Sequence, residues 1–568
     1  MVIRVTQVAV FAAVLAIAAF VGCDSPARVK PWRHAPDPTA EAANVPSSPA
    51  LADVSTAAEV RANRGHTLRI HVDADPKHLN PLVAPTAWGR RITMGTIFEP
   101  LIRYLPPEPG QPAGRFAPRL ARSWRVMPSQ TEIRIELEPD CTFHDGRTVT
   151  SSDVQFTLDA IRDPRRGVDH LRAMLSDVFA VELITSHEVR LVLNRPSAYV
   201  LRALAEIPIL PMNIYDGSLQ AGGALVGSGP YKFVSNKNGV VHLVRNDTYW
   251  GPKPAIKDIE YVFQPDAAIA LKDAKRGDLD IVPALIPAHW PEQASAPGIA
   301  SSFRALELAA LRMRYLRFNA DHPALADPRV RHALGLLVDR RTIAKRVFDG
   351  LARPVLWPIW PGGFANGAEL AVPDFDPGAA AKLLDEAGWT DSDKDGIRDN
   401  AGKQLRLVML GTDKPEPRDS SAPPVKIARD YFVEAARKMG VVIEVREGGT
   451  DYLAKRIAEG QYDLVEMSWN GMVDMDLGAL LGASVPQRGP APRVDRALDA
   501  FGAAWDPAQR AKLAGDLGAA LLESWPIAGI VTDASQGLVH KRVQGIRVWD
   551  GWFDVAALSL VDRATSEP

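Results

Sequence analysis

From Thr67 onward the chain is regular, and from Asp327 it repeats one grammar: a capped helix, a glycine, then an apolar strand. DPRVRHALGLLVDRRTIAKRVFDG reads as a helix with Asp327 as cap, Pro328 at its first position and Gly350 as its stop. DPGAAAKLLDEAGW repeats the pattern with Asp376, Pro377 and Gly388. RDYFVEAARKMGVVIEVRE and YLAKRIAEGQYDLVEMSW each run through a helical stretch to a glycine and into an apolar strand. TLRIHV, EIRIELE and EVRLVLN alternate, as strands with one buried face do. Helices that alternate with strands require mixed α/β layers, since neither an all-α nor an all-β body buries both kinds of face. No fixed-period repeat is present, and 568 residues are enough for two to four domains.

Charge narrows the function. Lys and Arg number 66 against 68 for Asp and Glu, and no basic stripe stands out. A surface that held nucleic acid as its main partner would need an excess of cations. The start, MVIRVTQVAVFAAVLAIAAFVGCDS, has a basic residue at Arg4 and an apolar run from Val8 to Val21, too short to span a membrane comfortably and suited to an export signal over residues 1–22. FVGC resembles a bacterial lipobox, with Phe20 where that motif usually has leucine. The resemblance implies cleavage before Cys23 and lipid on its thiol. An ordinary signal peptide with an incidental cysteine is the alternative. Residues 23–65 are rich in Pro, Ala and Ser, and read as a tether that cannot bury enough surface to order itself. With Cys23 lipidated, Cys141 is a lone thiol, so no disulfide framework exists.

The stretch CTFHDGRTVTSSDVQFTL places Cys141, His144 and Asp145 within five residues. A Cys–His nucleophile needs partners converging in space and an oxyanion donor, and none is evident here. Asp145-Gly146 is a turn signal, and Thr150 with Asp153 forms a capping box for the helix that follows. The expectation is a turn and a helix cap, with no catalytic role.

FHDGRTVTSSDVQFTL also resembles a signature of the extracellular solute-binding proteins of family 5, the oligopeptide-, dipeptide- and nickel-binding subunits of ABC importers. LNPL at 79–82, IFEPL at 97–101, LARSW at 120–124, VGSGPYKF at 226–233 and RNDTYWG at 245–251 follow in that family's order. FNADHPALADPRVRHALGLLVDR from Phe318, FDPGAAAKLLDEAGW from Phe375 and YDLVEMSW from Tyr462 continue it, so the likeness covers Thr67 to Val561. It implies an α/β, two-lobed periplasmic-binding-protein fold (type II, cluster C-like) with an additional domain inserted in the first lobe. The first lobe would take 66–86, 221–312 and 525–563, the inserted domain 87–220 and the second lobe 313–524. A hinge is expected near Leu311–Phe318 and near Trp525. The implied partners are a peptide or other small solute and the transmembrane subunits of an ABC permease. The protein is expected to be a monomer, held by its lipid at a membrane in the periplasm or cell envelope. Asp24 resembles the retention signal of inner-membrane lipoproteins in Gram-negative cells.

A buried peptide amino terminus left unpaired costs roughly 3 kcal/mol or more, over a hundredfold in affinity, so a peptide cleft needs a carboxylate. In peptide-binding relatives it follows a tryptophan by three residues. Here SWNGMVDMDLGALL has Trp469, but Met472 stands at that place. Asp474, two residues later, either takes the role or is a solvated loop acid. Trp469 and Asn470 are expected at the cleft. Trp357 and Trp360 in ARPVLWPIWPGGF, and Trp88 in PTAWGRR, are further stacking candidates whose alternative is core packing.

DSDKDGIRDNAG resembles a calcium loop, with Asp391, Asp393, Asp395 and Asp399 as oxygen ligands, but Gly402 replaces the bidentate glutamate. The 12 histidines form no H-x-x-x-H pair, and no cofactor or resident metal is expected. The implied function is a non-catalytic receptor for a peptide-like solute. The alternatives are an oligosaccharide, metallophore or haem as cargo, a sensor or chaperone role, and, further off, a hydrolase, which would need a nucleophile, base and oxyanion site that no motif supplies.

Overall fold

The computed structural model describes residues 66–561 apart from 77, 83–85, 106–107, 109–113, 216–224, 287–288, 358–371, 413–424, 471–475 and 550. One mixed sheet of 11 strands organises it. In chain order these are β1 (Thr67–Val72), β2 (Tyr231–Lys237), β3 (Val240–Arg245), β4 (Asp258–Phe263), β5 (Ile281–Val282), β6 (Phe303–Phe318), β7 (Ala352–Pro354), β8 (Arg406–Thr412), β9 (Val442–Gly448), β10 (Leu464–Asn470) and β11 (Ile527–His540). Their spatial order is β9-β8-β10-β6-β11-β5-β1-β4-β3-β2, with β7 also paired to β11.

The sheet has two halves with separate cores. Leu68, Ile70, Leu243, Ile259 and Ile281 bury in one; Leu407, Met409, Leu464 and the helices of residues 328–524 supply the other. Only β6 and β11 serve both. Their antiparallel ladder runs from Phe303↔His540 to Arg317↔Ile527 and loses register between Ala309 and Met313. Leu306, Leu308 and Val539 belong to the first core, whereas Met313, Tyr315, Ile530 and Val531 belong to the second. The passage between halves therefore lies at 309–313 on β6 and just after Val531 on β11. Trp525, expected at the passage, sits instead inside the second core. It is 1% exposed, stacked on His332 at 4.3 Å, with its backbone carbonyl accepting from Arg331 Nε at 3.0 Å.

Residues 121–193 build a second, four-stranded antiparallel sheet: Ala121–Val126, Glu132–Leu137, Glu188–Leu193 and Val178–Thr185, in that spatial order. Its buried residues are continuous with the first core. The helix Pro377–Glu386 forms as expected, with Asp376 accepting from Ala379 N at 2.8 Å and Gly388 left-handed at φ 84°. The expected 327–350 helix is two, Pro328–Leu336 and Arg340–Arg346. Asp339 causes the break: its side chain accepts from Thr342 N at 3.0 Å, a cap that competes with continuing the first helix.

Candidate functional site

The motifs quoted above converge on one buried acid. Glu99, fully buried, accepts from Tyr249 Oη at 2.6 Å and Trp250 Nε1 at 3.2 Å, and pairs with Arg119 Nε at 2.6 Å. Beside it, His144 is clasped by a glycine loop. Its Nδ1 accepts from Gly227 N at 3.3 Å, which leaves Nε2 to donate to Gly229 O at 3.0 Å. A Cβ on Gly227 or Gly229 would lie 1.9 Å from Ile97 O or 2.2 Å from Thr96 O, so only glycine admits this approach. Burial lowers the His144 pKa to about 4 and raises the Cys141 thiol far above its usual range. The thiol is thus kept protonated. Thr150 N donates to Asp153 Oδ2 at 2.9 Å, completing the expected cap. This region is a structural knot that ties the 121–193 sheet to the first core.

Three of the candidate ligand residues, Trp357, Trp469 and Asn470, lie on the other half, beside the passage. Trp469 near the end of β10 pairs with Met313, Met313 with Thr532 and Thr532 with Arg353, one row across β10, β6, β11 and β7. Trp469 is 4% exposed and Trp357 2%, and both pack in the second core. Neither indole N–H has an acceptor among the described residues. Trp357 meets Trp525 edge-on at 5.7 Å. Asn470 is exposed and pairs with Arg312. Trp88 is distant in the fold: it packs in the first core, donates to Asp73 Oδ1 at 2.5 Å and meets Trp552 edge-on at 5.5 Å. Trp360, Asp474, Met472 and Cys23 lie outside the described residues. Arg353 on β7 forms an ion pair with Glu307 on the first-core stretch of β6, a link across the passage.

Asp391, Asp393 and Asp395 bring carboxylate oxygens within 4.8 Å of one another, all exposed. Asp399 is not in that group. It is 8% exposed and accepts from Ser392 N at 3.0 Å and Ser392 Oγ at 2.7 Å. Asp391 and Asp395 spend oxygens on the turn itself, accepting from Gly396 N at 3.1 Å and Ile397 N at 2.8 Å. Three of the four acids read from the sequence thus stand together, while Asp399 is held apart by Ser392.

A second contact between the halves was not visible in the sequence. Ala198 N donates to Gly502 O at 2.8 Å, Tyr199 packs 6.3 Å from Phe501, and Arg195 Nη1 reaches Asp499 at 3.2 Å. No signal in NRPSAY separates these residues from an ordinary loop.

Residues 115–486 match the family described as bacterial extracellular solute-binding proteins, family 5. The chain belongs to this family. Among curated relatives of this binding protein are the probable di/tripeptide-binding protein 5 of Pseudomonas aeruginosa and the oligopeptide-binding protein AppA of Bacillus subtilis. The first is 27% identical, over 63% of this chain and 69% of its own length. The second is 26% identical, over 62% and 65%. Among solved structures, HbpA2 from Haemophilus parasuis has a TM-score of 0.76 at 20% identity, covering 87% of this chain and 100% of that one. NikZ from Campylobacter jejuni, in complex with Ni(L-His), has a TM-score of 0.65 at 23% identity, covering 87% and 99%. These likenesses establish the two-lobed fold. The family consists of substrate-binding proteins rather than enzymes, and no helix among the described residues is long and apolar enough to cross a membrane.

Proposed function

We propose that the protein is the receptor subunit of an ABC importer, closing around a peptide-like solute and handing it to a membrane permease. The observation that carries this reading is the pair of strands β6 and β11. Each passes from one core to the other, and their ladder is interrupted only where they pass and once more between Arg314 and Tyr315. Two strands crossing together let the halves swing about one line while each core stays packed, and solute contacts from both halves stabilise the closed state. The peptide assignment draws on the di/tripeptide- and oligopeptide-binding relatives. Trp469 and Asn470 at the end of β10 lead into the segment that carries Asp474, our candidate for the peptide amino terminus. Lipid on Cys23 holds the monomeric receptor at the membrane, in the periplasm or cell envelope.

Mass spectrometry of small molecules released on denaturing the purified full chain tests this. Short peptides of mixed sequence are expected, and an Asp474→Asn variant should lose them. One sugar, metal chelate or haem in their place would overturn the peptide assignment and leave the receptor. A chain that releases nothing and shows no change in radius of gyration with any peptide pool would overturn the receptor reading.

A further inference from the structure

The contact between the Arg195–Tyr199 turn and the second half encloses a cavity of about 150 Å³, lined on one side by Arg195 and Ser197 and on the other by Asp476, Asp495 and Asp499. An apolar cavity of about that size takes a benzene-sized molecule; this one is lined with acids. Arg195 is shared between Asp177 at 2.8 Å and Asp499 at 3.2 Å, at the exposed rim. Deeper in, Asp495 Oδ2 accepts from Arg488 Nη2 at 2.9 Å, while its Oδ1 is buried with no partner among the described residues. Ser197 is 1% exposed and its Oγ is likewise without a partner among them. Asp476 accepts from Gly478 N at 2.7 Å through Oδ1 and makes no ion pair among the described residues. Three carboxylates, of Asp476, Asp495 and Asp499, line the cavity; Asp499 pairs with Arg195 and Asp495 with Arg488, which leaves Asp476 without an ion pair among the described residues. Burial, and the nearby Asp177 and Asp499, hold the Asp476 carboxyl above its usual range.

A desolvated carboxylate without a cation is unfavourable, and an orphaned hydroxyl beside it adds to the cost. Water would satisfy the hydrogen bonds and leave the charge standing. A primary ammonium supplies both, with three donors and no acceptor. Two buried acceptors without a partner among the described residues line the cavity, Ser197 Oγ and Asp495 Oδ1, and the Asp476 carboxylate lines it beside them. Asp476, Asp495 and Asp499 do not bring three carboxylate oxygens within 4.8 Å of one another, so the cavity does not offer one metal ion three acids.

We propose that this cavity is a subsite for an aliphatic ammonium group, of the kind that ends a lysine-like chain, carried on the solute. The inference rests on the solute-receptor reading and not on the solute being a peptide. Because its walls come from both halves, an ammonium seated there also holds the halves together.

The test is a titration of the full chain with n-butylammonium chloride, followed by saturation-transfer NMR, with n-butanol as the uncharged counterpart. Saturable butylammonium binding is expected for the wild type and for Asp393→Asn, a control for loss of one exposed acid. Asp476→Asn should bind about tenfold more weakly, as loss of a charge-assisted hydrogen bond predicts, and butanol should not compete. Ser197→Ala, a smaller change, should weaken binding several-fold and serves if Asp476→Asn misfolds. Equal binding by these two variants, equal binding of butanol, or no binding by the wild type would overturn the proposal. Should peptides co-purify while butylammonium fails, the subsite falls and the receptor stands. The opposite pair of results removes the peptide and keeps the subsite.

Discussion

Glu99 is fully buried and Asp476 partly so, and the protein treats the two acids oppositely. Around Glu99 the chain supplies a phenol, an indole N–H and a guanidinium, drawn from residues 119, 249 and 250. Around Asp476 it supplies one backbone amide and, at a distance, an arginine already shared by two other acids. A carboxylate with both oxygens answered from within belongs to the architecture. A carboxylate left short beside a cavity is arranged for something that arrives from outside.

That contrast can be broken by mutation. Glu99→Ala should cost about 3–5 kcal/mol of unfolding free energy, because it leaves the buried Arg119 without its counter-charge. A urea midpoint shifted by less than a third of that would mean Glu99 is as loosely held as Asp476. His144 comes next. Its folded-state pKa of about 4 lies below the ordinary 6.5, so the unfolded chain binds the extra proton first. Its contribution is intact above pH 6.5, declines as pH falls through the window down to about 4, and is then level. The full loss is about 3 kcal/mol at 1.36 kcal/mol per unit. The wild-type melting temperature should drop over that window by more than that of His144→Gln, and parallel curves would show His144 to be solvated. The smallest effect has the opposite sign: Asp476→Asn should leave stability unchanged or raise it by about 1 kcal/mol at pH 7, because an uncompensated charge disappears. A loss of 2 kcal/mol or more in equilibrium unfolding would make Asp476 a second Glu99.

The sequence disclosed these two regions unequally, for a physical reason. Caps and stops are local, so Asp376, Gly388 and the Thr150–Asp153 box could be read directly. The likeness to family 5 carried the two-lobed fold. Most of what Glu99 and His144 bind was hidden, since all their partners but Arg119 stand some 80 to 150 residues away. The break at Asp339 was hidden too: a capping acid inside an otherwise periodic helix looks like any polar residue until the next turn forms. Trp357 and Trp469 were readable as aromatic and near the cleft, but exposure depends on which neighbours cover them, and both are covered. Asp476 stands just ahead of a short helix, Gly478–Leu481, and accepts from its first amide. Its shortage of cations depends on Ser197 and Arg195, nearly 300 residues earlier.

The strands shared between the cores also set an order of events in time. β6 finds its partner along nearly its whole length in β11, whose last residue is His540 of 568. The two halves cannot be joined through β6 and β11 until β11 has emerged, more than 200 residues after its partner strand. Contacts this distant in sequence form slowly, so the centre of the molecule is the last part of its architecture to be sealed.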